Sequence, residues 1–242
     1  MNLNRTFPFL FVMSVLMSFS VKAELSIQIT QGIDNPIPIA VVPFSWEGSG
    51  VLDEDIGEIV TADLQQVGEF RALSPSNMLA LPREEREVYY RDWSILAQDY
   101  LLVGKVQRAP GSELIQVQYE FFDINREIKL AGEVLTGTTS QLRDIGHEIS
   151  NVVFELVTGT RGAFTTQILY IVSEFVSPEV SYFRLEKADY DGRRAQVLLE
   201  SREPIMSPSW SPNGQDIAYV SFETDLPRIY TQNIATGQRR QI

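Results

Sequence analysis

The chain has 242 residues, 44% of them hydrophobic, and carries a formal charge of −12. That is enough apolar material for one or two cores, and the acidity disfavours nucleic acid and anionic lipid surfaces as partners. There is no cysteine, so no disulfide braces the fold, and a single histidine leaves a zinc site without its usual ligands.

The first 23 residues have the pattern of a secretory signal peptide. Arg5 lies in a short polar start. Residues 7–20 are mainly Phe, Leu, Val and Met, too short a run to cross about 30 Å of hydrocarbon. Val21-Lys22-Ala23 places small residues at the outer cleavage positions, so cleavage is expected after Ala23. Arg5 and Lys22 are the only charges removed, which leaves the mature chain more acidic still, with no direct membrane insertion expected of it.

Residues 24–162 read as an α+β domain, a mixed sheet with two main helices. Leu25, Ile27 and Ile29 alternate with Ser26, Gln28 and Thr30, the period of a half-buried or edge strand. Pro36 and Pro38 interrupt the chain, and residues 39–44 form a buried strand. A helix follows. Asp53, Glu54 and Asp55 supply acids at its start, Ile56, Ile59, Val60, Leu64 and Val67 share a face, and Gly68 closes it. A short strand is expected at 70–73, a loop at 74–81 and a short helix at 92–97. Strands at 99–106, 114–122 and 128–135 then form a meander. A second amphipathic helix presents Leu142, Ile145, Ile149, Val152, Val153 and Leu156, and Gly159 ends it. His147 lies roughly opposite that stripe and is expected to be solvated.

Residues 163–242 read as about two blade repeats of an all-β propeller. Ile168-Leu169-Tyr170-Ile171-Val172-Ser173 resembles Ile217-Ala218-Tyr219-Val220-Ser221, and a second pair of phrases aligns Gly192 with Gly237. Both spacings lie near the period of about 40–45 residues typical of blades. The small mismatch between them falls in the first hairpin loop, near 175–181. Ser211-Pro212-Asn213-Gly214 is a strong turn, and Trp210 before it is suited to filling the space between two sheets. Rings of this type take about four to eight blades. The expectation is therefore the front part of a longer, truncated propeller protein.

Motifs for chemistry are lacking. The sequence has no Gly-x-Ser-x-Gly elbow, and Gly48-Ser49-Gly50 has neither the spacing nor the lysine of a phosphate loop. Glu84-Glu85-Arg86-Glu87 is a charge run of mixed sign, expected on the surface. No catalytic, cofactor-binding or metal-binding residue is expected.

The phrases Glu24-Leu25-Ser26-Ile27-Gln28-Ile29-Thr30-Gln31-Gly32, Pro38-Ile39-Ala40-Val41-Val42-Pro43-Phe44, Asp55-Ile56-Gly57-Glu58-Ile59-Val60 and Asp99-Tyr100-Leu101-Leu102-Val103-Gly104 follow one another in order. With the blade phrase Ser209-Trp210-Ser211-Pro212-Asn213-Gly214, this series resembles the TolB family of the periplasmic Tol–Pal system along the whole chain. The resemblance implies a non-enzymatic periplasmic adaptor supporting outer-membrane integrity and constriction at division. Its amino-terminal strand would bind TolA, an inner-membrane protein, and its propeller would bind Pal, a peptidoglycan-associated lipoprotein. Carried onto this sequence, the TolA-binding stretch is Glu24, Leu25, Ser26, Ile27, Gln28, Ile29, Thr30, Gln31, Gly32 and Ile33. Strand addition to a partner sheet is the mode that such an alternating terminus suits. The rival expectation is an exported propeller enzyme, such as a peptidase whose catalytic domain lies further along.

Overall fold

A computed structural model describes residues 35–177 and 180–242. The expected signal peptide, the cleavage position Ala23 and the stretch from Glu24 to Ile33 lie outside those residues.

The first part is built on a six-stranded mixed sheet. Strand β1 (Ile37–Val41) lies between β3 (Phe70–Ala72) and β4 (Tyr100–Arg108) and is parallel to both. The meander β4, β5 (Ile115–Asp123) and β6 (Ile128–Gly137) continues antiparallel, and the two-residue β2 (Ser45–Trp46) pairs with the far part of β4. Pro38 does not interrupt the chain as its neighbours suggested. It is the second residue of β1, where its missing donor costs little, and its carbonyl accepts the Asp99 N–H at 3.1 Å.

Helix α1 (Ile56–Gln66) starts where the acids predict, with the Asp55 carboxylate accepting the Glu58 N–H at 3.0 Å. Gly68 follows the last turn with φ +78°, the left-handed conformation open to glycine. Helix α3 (Leu142–Thr158) ends on Gly159 at φ +74°. Both helices cover one face of the sheet. There Ile39, Val60, Leu64, Leu102, Val117 and Ile149 form the centre of the larger core. The other face is closed by the short α2 (Tyr90–Ile95), whose Trp93 is buried with Val42, Leu101, Val103 and Phe122. The sheet is thus covered on both sides, which is why β1 and β4 read as continuous apolar runs.

The second part holds two antiparallel sheets. β7 (Gln167–Ser177), β8 (Val180–Asp189) and β9 (Gln196–Ser201) form one. β10 (Ile205–Trp210), β11 (Asp216–Ser221), β12 (Arg228–Asn233) and β13 (Arg239–Gln241) form the other. The repeat falls on matching strands: Tyr170 is in β7 and Tyr219 in β11, while Gly192 and Gly237 take positive φ in the turns after β8 and β12. The phenol of Tyr170 donates to Glu186 at 2.8 Å and that of Tyr219 to Gln232 at 2.9 Å, each on the next strand. The β7–β8 hairpin is the longer one, as the spacing mismatch requires. Leu185, Ile205, Ile217, Tyr219 and Tyr230 form the core of this part, with Trp210 packed against it. The fold is an α+β domain followed by the first blades of a propeller.

Candidate functional site

α1 and α3 approach closely at Gly146. A Cβ there would lie 2.8 Å from the Ile59 side chain, so only a glycine allows this spacing. The approach brings together polar residues of both helices. Asp63 on α1 and His147 on α3 are each 2% exposed. His147 is therefore not solvated. The wheel placed it away from the sheet correctly, but α1 and the first blade cover that side. Gly146, in the interior of a helix, was the available sign of a close neighbour.

Three donors converge on the Asp63 carboxylate. His147 Nδ1 lies at 2.8 Å and Ser150 Oγ at 2.6 Å from Oδ2, and the Tyr190 hydroxyl donates to Oδ1 at 2.6 Å. Tyr190 comes from the turn between β8 and β9, so the first blade supplies one of the three. Its ring meets His147 and Phe164 edge-on, at 5.4 Å and 5.3 Å between centroids. Burial, and then the hydrogen bond to Asp63, raise the Tyr190 phenol well above its ordinary range, so it stays a donor.

Ion pairs surround this centre. Arg143 on α3 pairs with Asp191 of the same turn and, at 3.4 Å, with Glu54. Arg194 of the turn pairs with Asp144 of α3 and, at 2.6 Å, with Asp189. These carboxylates hold the Arg194 guanidinium above its ordinary value. Asp63, His147 and Asp191 also bring three metal-ligating atoms within 4.8 Å of one another. The ligating atoms are already engaged, since the Asp63 carboxylate meets His147, Ser150 and Tyr190 and the Arg143 guanidinium lies against Asp191, the place a cation would take. The arrangement joins two parts of the chain, and Ser150 lies buried at 0% exposure with its hydroxyl turned to Asp63 and to the Gly146 carbonyl.

A second surface lies at the far end of β1. Val41, Pro43, Gly57, Thr61, Gln65 and Pro75 line a mainly apolar groove of about 320 Å³ beside α1. The charge run at 84–87 is tied to the sheet, with Lys105 Nζ at 2.9 Å from Glu84, which holds the Glu84 carboxyl below its usual range.

Residues 25–130 match the TolB amino-terminal domain and residues 154–242 the TolB beta propeller domain. The Tol-Pal system protein TolB of Hahella chejuensis is 44% identical over 232 residues, covering 96% of this chain and 54% of that protein. The protein of the same name from Pseudomonas aeruginosa is 44% identical over 227 residues, covering 94% and 52%. The chain thus spans about half the length of the curated relatives it matches. A crystal structure of TolB from Acinetobacter baumannii superposes with a TM-score of 0.75 at 32% identity, covering 86% of this chain and 49% of that one. Two domain matches in the order that the sheets and helices take along the chain, and this superposition across both, place the protein in the TolB family.

Proposed function

We propose that this chain is the amino-terminal part of a non-enzymatic periplasmic adaptor of the Tol–Pal system. In this reading the stretch from Glu24 to Ile33 adds as a strand to a TolA-like inner-membrane protein. The propeller binds a Pal-like, peptidoglycan-associated lipoprotein, and the pair of contacts supports outer-membrane integrity and constriction at division. The observation that carries the reading is the 44% identity, over 96% of the chain, to a protein named for that system. Two features support it. Leu25, Ile27 and Ile29 alternate with polar residues, a period that suits strand addition with apolar side chains entering pockets beside a partner's sheet edge. Among the described residues, no helix is long and apolar enough to cross a membrane.

Each aliphatic side chain buried on a partner is worth about 1.5–3 kcal/mol, and ordering the strand takes much of that back. The expected affinity is micromolar. The test is deletion of residues 24–33, followed by titration calorimetry with the TolA-like partner and by thermal melting. Binding is expected to vanish while the melting transition stays, because β1 begins only at Ile37. Undiminished binding by the deletion variant overturns the assignment. Loss of the transition shows instead that the stretch belongs to the protein's own sheet.

A further inference from the structure

We propose that the junction of α1, α3 and the β8–β9 turn is a releasable latch, which sets the angle between the amino-terminal domain and the first blade and has an open state. The inference does not depend on the identity of either partner. It rests on how each half of the junction is satisfied without the other.

Consider the groups left behind if the blade swings away. Asp63 loses the Tyr190 hydroxyl but keeps His147 and Ser150, both on its own side. Arg143 loses Asp189 and Asp191 but keeps Glu54. Asp144 has a side chain 51% exposed and is rehydrated. On the blade, Asp189 keeps Arg194, and Asp191 keeps the Arg193 N–H at 3.0 Å. No buried charge is stranded by opening, which is the usual reason such junctions cannot part. What is lost is one hydrogen bond to a carboxylate, the buried pairs of Arg143 with Asp189 and Asp191, the exposed Arg194–Asp144 pair and the edge contacts of the Tyr190 ring, and the groups so parted are open to water once the blade has moved.

The hinge is equally well marked. Asn151 of α3 accepts the Phe164 N–H and donates to Thr165 Oγ1, both at 3.1 Å, so the chain is tied to the helix through Thr165. The Tyr190 N–H donates to the Thr166 carbonyl at 3.1 Å, so Thr166 belongs to the blade. Thr166 is also tied back, its N–H and its hydroxyl donating to the Ala163 carbonyl at 3.0 Å and 2.6 Å, so the two sides meet at Thr166 and rotation is confined to its own backbone dihedrals.

The absence of cysteine makes the test direct. Glu113→Cys on the β4–β5 turn, with a fully exposed parent side chain, and Val197→Cys on β9, 55% exposed, give one spin label on each part. Pulsed electron–electron distances are then measured in the 242-residue chain with and without Tyr190→Phe. Removing one charge-assisted hydrogen bond should raise the open population about tenfold or more. The expected result is a second distance in the variant, absent or minor in the parent, with the thermal transition retained. Asp144→Asn, which alters only the exposed pair with Arg194 across the junction, should show the same second distance at lower weight. An unchanged single distance in both variants overturns the latch. So does loss of folding in both, because the two halves would then not be self-sufficient.

Discussion

Asp63 is the residue on which most depends. Asp63→Ala leaves the His147 and Tyr190 donors without an acceptor, at roughly 1–3 kcal/mol for each group left buried and unpaired, while the Ser150 hydroxyl retains the Gly146 carbonyl at 3.0 Å. Urea unfolding should therefore show a loss of several kcal/mol, far above that of an ordinary surface change. Gly146→Ala should also destabilise. It gains about 1 kcal/mol of helix propensity, but the added methyl would sit 2.8 Å from Ile59, and overpacking of this kind costs about 1–3 kcal/mol. A net gain in the same assay would show that α1 moves aside freely. Tyr190 contributes to the loss of stability at alkaline pH. Its folded value is raised, so the protonated phenol stabilises the fold below the unfolded value of about 10, and that contribution is lost as pH rises beyond it. Tyr190→Phe has no proton to lose. Its stability should fall less steeply above about pH 10 than that of the parent, measured by unfolding at a series of pH values. None of this cluster was legible in the sequence. Its members are scattered from 63 to 190, and a helical wheel reports only which face is apolar, not whether a second polar face is covered.

The elements divide by how local their signals are. α1 was readable because its cap, its stripe and its closing glycine are all contiguous. Asp55→Ala should accordingly cost about 1 kcal/mol, the worth of one N-cap, read from the urea midpoint. No change would mean that packing on the sheet alone sets the start of the helix. β5 and β6 were expected as meander strands at 114–122 and 128–135, within two residues of their observed bounds. β10 was not: it contains Pro208 and two serines, Ser207 has φ +53°, and its pairing with β11 shifts between Met206 and Ser209. A bulged strand breaks the period-2 pattern that would reveal it. α2 was expected as a helix, but its role in closing the second face of the sheet depends on Trp93 joining the cluster of Phe122 and on Tyr90 meeting that ring edge-on, which no spacing announces.

At the scale of the whole molecule, the expected boundary at Gly162 is crossed by side chains. Phe164 is buried in the core of the amino-terminal domain and Tyr190 packs against that core. Limited proteolysis should therefore cut first in the second blade, near the loop at 222–227, where Leu226 is 59% exposed. It should leave a core running past β9; a stable product ending near residue 162 would instead make the first blade an independent unit. The central position of β1 has a further consequence, for the order in which the chain folds. Both strands that flank β1 come later in sequence, β3 at residues 70–72 and β4 at residues 100–108. Parallel partners at such separations are slow to find, because the loop must close before any contact repays it. β1 thus stays without a strand partner until β3 at residues 70–72 is available, and is enclosed on both sides only after β4. A chain delivered amino-terminus first would therefore hold β1 on one side only through that interval, and β1 would become fixed when β4 arrived to enclose it.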